Sequence, residues 1–179
     1  MHLDKARPRS AASRWRELGT IALVQDFALG PGTPDLRGLR VLQLPLVTDH
    51  RRHQPLPATL HAIADVLAVD AGHSPQQGDV ALNPFDQAVL RREALRPDPG
   101  LRPLAWAVCY GDLLTDSDPL TRVRRVEAVD ADGRVYQLSR TARETHPVVL
   151  VDEHPDPADL PTTYPGLARL AAAAAHPTT

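Results

Sequence analysis

The stretch Val126-Glu-Ala-Val-Asp-Ala-Asp-Gly-Arg-Val-Tyr-Gln-Leu138 constrains the fold more than any other part of the chain. Its middle, Ala131-Asp132-Gly133, is a three-residue loop with glycine at the left-handed position, a known hairpin solution. Folding there sets Ala128 opposite Tyr136 and Val126 opposite Leu138 on one face. Glu127 then stands opposite Gln137, and Arg125 opposite Ser139, on the other. Apolar meets apolar and polar meets polar, and a slip of one residue would destroy both matches. The chain therefore contains antiparallel sheet.

Further strands follow from the same period-two pattern and from continuous apolar runs bounded by turn residues. They are expected near 20–28, 39–47, 104–110, 122–130, 134–140 and 147–152. Pro45 places the end of the second at an edge or a bulge, and the first two form a long-looped hairpin. Leu104–Tyr110 is apolar on both faces, as in a central strand covered on each side. Val148–Val151 reads as another strand of the buried type. Helices are expected near 57–71 and 84–95. The first has an apolar stripe at Leu56, Leu60, Ile63 and Leu67, interrupted by His61 and Asp65. The second opens with Asn83 and Pro84 and buries Phe85, Ala88, Val89 and Leu95. A C-terminal helix near 165–175 offers Leu167 and Leu170 as a narrow stripe, its alanines giving propensity rather than anchorage. A short helix from Ser10 through Leu18 is also expected, with one continuous helix through residues 10–28 as the rival to the first strand.

The fold class is α+β: an antiparallel β-meander sheet with the central helices packed on one face. At 179 residues a single domain over 17–179 is expected, preceded by a flexible basic arm at 1–16. The weakest seam is 96–103. That arm carries Lys5, Arg7, Arg9, Arg14 and Arg16 against Asp4, a net of +4, which leaves −6 on the remainder of a chain whose total is −2. An acidic body with 4% aromatics makes nucleic acid an unlikely partner. Nineteen of the 20 basic residues are arginine. Such a bias is what GC-rich codons in a bacterial genome produce, so arginine is a weak functional clue. No apolar run approaches the ~20 residues a membrane helix requires, and no signal-peptide pattern opens the chain. The cytoplasm is the expected compartment.

Candidate chemistry is sparse. His50, His53 and His61, with Asp49 and Asp65, combine residue types that suit zinc or another divalent metal. His61 and Asp65 are four apart, the spacing two helical ligands need, but a solvated stripe with a weak ion pair is the preferred reading. Asp112, Asp116 and Asp118 follow the strand ending near Tyr110, where carboxylates serve acid–base or magnesium chemistry; Asp116-Ser-Asp118-Pro119 also opens a turn. Asp130-Ala-Asp132-Gly133 fails the calcium-loop pattern, with Ala128 at the first ligand position and Ser139 at the twelfth. The single cysteine, Cys109, excludes an intrachain disulfide and reads as a small core residue beside Ala105 and Ala107. Gly30-Pro31-Gly32 lacks the third glycine of a dinucleotide fingerprint, and no phosphate-loop or serine-hydrolase motif occurs. No catalytic residue, cofactor or metal site is therefore assigned; His50, His53, His61, Asp65 and Asp112 are the weak metal candidates. The leading expectation is a non-enzymatic accessory protein acting through a protein partner or self-association. The alternatives are a small metal-assisted hydrolase using the His/Asp residues, and a nucleic-acid binder using the basic arm.

Overall fold

A computed structural model describes residues 19–30, 36–45, 56–70, 82, 84–94, 100–114, 121–156 and 158–175. The expected arm at 1–16, the helix from Ser10, and the turn at 116–119 lie outside them. Six strands form one antiparallel sheet: β1 (Thr20–Ala28), β2 (Arg37–Pro45), β3 (Leu101–Leu114), β4 (Thr121–Asp130), β5 (Val135–Thr141) and β6 (Val148–Asp152). Three helices accompany it: α1 (Leu56–Asp70), α2 (Pro84–Ala94) and α3 (Tyr164–Ala175). The α+β class is thus established.

The spatial order is β2-β1-β3-β4-β5-β6. Strands β3 to β6 form the expected meander, but β1 lies inside β2. The composition of the two strands accounts for the exchange. β2 carries Arg37, Arg40 and Gln43, which suit an edge, whereas Ile21 and Leu23 of β1 are fully buried. The helical crossover from β2 to β3 passes over β1, so β3 pairs with β1 at Ile21↔Val108 and Leu23↔Trp106. β3 also starts earlier than expected, absorbing the end of the 96–103 seam. A bulge between Val24 and Gln25 lets it do so, because it leaves Pro103 opposite Gln25. Leu29 N–H bonds to Leu36 C=O, so odd-numbered β1 residues direct their backbone groups toward β2. Pro103 therefore removes no hydrogen bond from the β1 ladder.

The β4–β5 hairpin has the register its side chains dictate: Ala128↔Tyr136, Val126↔Leu138, Glu127↔Gln137 and Arg125↔Ser139. Gly133 has φ +86°, and its N–H bonds to Asp130 C=O. Asp130 Oδ1 also accepts from the N–H groups of Asp132 and Arg134, fixing the loop.

The three helices share one face of the sheet, and the pattern of the hairpin gives no hint of which. Their core contains Ile21, Leu23, Trp106, Val108, Val129 and Val135 from the strands. The register puts Glu127 on that same helix-covered face, where it is 4% exposed. Val126, Ala128, Tyr136 and Leu138 point to the opposite face, which no described helix covers.

α3 corrects the expectation of poor anchorage. Leu167 and Leu170 are 1% and 0% exposed, and the helix packs directly on β3 and β4 and against α1. Small residues permit this closeness: a Cβ added to Gly166 would meet Leu60 Cβ at 2.5 Å. In α1, Leu60, Ile63, Ala64 and Leu67 are buried as expected. In α2 Leu90 is buried, while Ala88 is exposed. Leu95 lies outside the described residues. Among the described residues no helix covers β6, and it is no buried strand: Val148 to Val151 are all exposed.

Candidate interaction surface

The uncovered face is built from the small and apolar members of each strand. Ala105, Ala107 and Cys109 of β3 lie beside Ala22 and Val24 of β1 and Val126 and Ala128 of β4. Toward the edges come Leu39 and Val41 of β2, 70% and 56% exposed, and Val149 and Val151 of β6, 56% and 48% exposed. β3 is thus covered on one side, and Cys109 is half-buried on the open side rather than in the core. Large contiguous apolar faces are uncommon on the surfaces of monomeric soluble proteins.

Charged groups frame the face at both ends. At one end Arg122 and Arg124 of β4 stand with Arg140 of β5, all exposed, with Arg124 directly opposite Arg140. Like charges directly opposite one another are unfavourable. At the other end lies a shallow pocket of about 560 Å³, floored by Pro103, Ala105, Ala128 and Leu138 and rimmed by Arg102, Arg134 and Asp132. Tyr136 Oη donates to Asp130 Oδ2 at 2.8 Å along its wall. That bond, with partial burial, pushes the Tyr136 phenol above its usual value. Beside it Asp26 is held by two arginines. Arg37 donates through Nε at 2.5 Å and Nη2 at 2.9 Å, and Arg102 through Nη2 at 3.0 Å and Nε at 3.3 Å. Arg37, more than Arg102, holds the Asp26 carboxyl below its ordinary range. These arginines staple β1 to β2 and β3 across the open face.

Of the residues singled out for catalysis or metal binding, His61, Asp65 and Asp112 lie elsewhere, and each meets an arginine. Arg169 of α3 places Nη2 2.5 Å from Asp65 Oδ1 and Nη1 3.2 Å from His61 Nδ1. The His61/Asp65 stripe therefore faces α3 rather than solvent, and a guanidinium already occupies the position from which a cation would be bound. Asp112 Oδ2 accepts from Arg125 Nε at 2.8 Å, and its Oδ1 caps the N–H of Leu113. His50 and His53 lie outside the described residues. Among the described residues, no three His, Cys, Asp or Glu side chains are grouped to hold a metal ion, and no helix is long and apolar enough to cross a membrane.

Sequence reasoning missed Glu127. Its carboxylate, sealed under α3, accepts from Tyr110 Oη at 2.7 Å and from Thr163 Oγ1. Desolvation first, and the Glu127 bond second, drive the Tyr110 phenol far above its usual value. Buried polar groups persist when each finds a partner, and here the network joins β3, β4 and the start of α3. Glu127 and Thr163 are buried and Tyr110 half-buried, and the network works as a structural clasp. Compared with protein-family models, curated proteins and solved structures, the chain matches none.

Proposed function

We propose that this protein is a non-enzymatic accessory protein that acts by docking a protein partner on the open face of its sheet. One observation carries the reading: the apolar side of the best-patterned hairpin, Val126, Ala128, Tyr136 and Leu138, lies away from the helices, and a charged residue is buried in its stead. Burying apolar area on the open face supplies the driving force for association, roughly 25 cal/mol per Å² before the costs of binding. Arg122, Arg124 and Arg140 at one end favour a partner with an apolar surface bordered by acidic residues. Arg169 and Arg125, by neutralising Asp65 and Asp112, weigh against a metal-assisted hydrolase.

The test is site-specific photo-crosslinking in the source cells, with the photoreactive group in place of Val126 and, as control, of Ala172 on the exposed side of α3. The expected result is one predominant protein adduct from position 126, absent from position 172 and reduced by Arg124→Glu. Equal, heterogeneous labelling at both positions would sink the reading.

A further inference from the structure

Like β2, β6 has nothing on its outer side among the described residues, but unlike β2, with Arg37 and Arg40, it carries no charge between Val148 and Val151. Exposed, flat and apolar edges are templates for another strand. The direction of its free backbone groups follows from the hairpin. Asp130 N–H bonds to Arg134 C=O, so even-numbered residues of β5 face β4 and odd-numbered ones face β6. The pairs Val135↔Asp152, Gln137↔Leu150 and Ser139↔Val148 then use the inward groups of Val148, Leu150 and Asp152. The N–H and C=O groups of Val149 and Val151 point outward. Pro147 falls in the same outward set, where its missing N–H costs the sheet nothing.

We infer that β6 pairs with β6 of a second copy of this chain, antiparallel, about a two-fold axis at Val149. Antiparallel pairing of identical strands is isologous and closes on itself, and the charges at the two ends of β6 select that direction. Arg140, Arg143 and His146, with Glu144 among them, lie at its entry; Asp152, Glu153, Asp156 and Asp159 lie at its exit. Antiparallel pairing sets each basic end against the other copy's acidic end, whereas parallel pairing stacks like on like. Centring on Val149 sets Val148 opposite Leu150 and Pro147 opposite Val151, and brings His146 toward Asp152 of the second copy. Centring one residue later would set Asp152 opposite exposed Val148 instead. The chosen register forms four backbone hydrogen bonds, from Val149 to Val149 and from Val151 N–H to Pro147 C=O, each twice. It joins two six-stranded sheets into one of twelve. The pairing uses the sheet's edge rather than its open face, so it stands or falls separately from partner docking.

The experiment is sedimentation of the whole chain over a range of concentrations, with Val149→Pro, Val149→Lys, and Val149→Cys in a Cys109→Ala background. Val149→Pro removes an outward N–H without touching the β5 ladder, and Val149→Lys sets two like charges on the axis. The expected result is a reversible dimer that weakens with added salt. Each of the first two variants raises its dissociation constant about tenfold or more, with unchanged circular dichroism. Oxidation of the cysteine variant yields a covalent dimer, since directly opposed bonded residues lie within disulfide reach. A chain that stays monomeric at high micromolar concentration overturns the inference. So does a dimer indifferent to both Val149→Pro and Val149→Lys, whatever the crosslinking at Val126 shows.

Discussion

The two faces of β3 belong to the same backbone and have opposite fates. On one, Trp106 and Val108 are 1% and 0% exposed beneath the helices. On the other, Ala105, Ala107 and Cys109 are small and lie under no helix among the described residues. The difference teaches that along the middle of β3 size, more than polarity, separates the covered side from the open one. The helix side holds the bulkiest side chain of the core and tolerates a buried glutamate. The open side is apolar but shallow, a surface suited to receiving something broad.

Substitutions can break that contrast, beginning with the largest effect. Trp106→Ala removes the largest fully buried side chain and is expected to cost about 3–5 kcal/mol, read as a lower midpoint in urea unfolding. Gly166→Ala pushes α3 from α1 at the Leu60 contact and is expected to cost about 1–3 kcal/mol, measured the same way. Tyr110→Phe takes one of two hydroxyl donors from buried Glu127. A loss of about 1.5–3 kcal/mol is expected for a bond to a charged acceptor, and the variant also removes a phenolate transition from the region above pH 10 in an ultraviolet titration. Leu39→Ser and Val41→Ser, on the open face, are expected to change stability by no more than about 0.5 kcal/mol each, while weakening capture of the partner. A cost on the open face matching that of Trp106→Ala would erase the distinction between the faces.

The smallest expected effect is one of pH. Asp26 has its carboxyl lowered by Arg37 and Arg102, so the folded form is the weaker acceptor of protons. Its contribution to stability is complete above the unfolded carboxyl value of about 3.9 and is lost as pH falls through the lower folded value. Asp26→Asn is therefore expected to flatten the acid limb of the stability curve, compared by urea midpoints at pH 5 and pH 2.5. An unchanged limb would separate the arginine staple from acid stability.

What could be read from the sequence was local. The register of Val126–Leu138 follows from side-chain matching across a short loop, and α1 from apolar spacing over one segment. The covered face was hidden because Glu127 resembles a solvent-facing residue until Tyr110 and Thr163 are brought to it. Arg169 lies 104 residues from Asp65, beyond any window in which spacing is informative. β6 looked buried because Val-Val-Leu-Val is equally apolar in a central strand and at an unguarded edge; its neighbours decide, and they come from topology. The anchorage of α3 rests on two leucines and on the space left at Gly166, a property of α1 as much as of α3.

The exchange of β1 and β2 has a kinetic consequence. β4 and β5 can meet as soon as a three-residue loop closes, a matter of microseconds for a hairpin. β1 instead must find β3 across the whole helical crossover, with Ile21 waiting for Val108. Closing that long loop comes before the contacts that reward it. Refolding is therefore expected to begin in the β3–β6 meander and to finish when the β1–β2 hairpin docks. During that interval β3 is itself an edge, and Trp106 stands next to an unfilled place in the sheet.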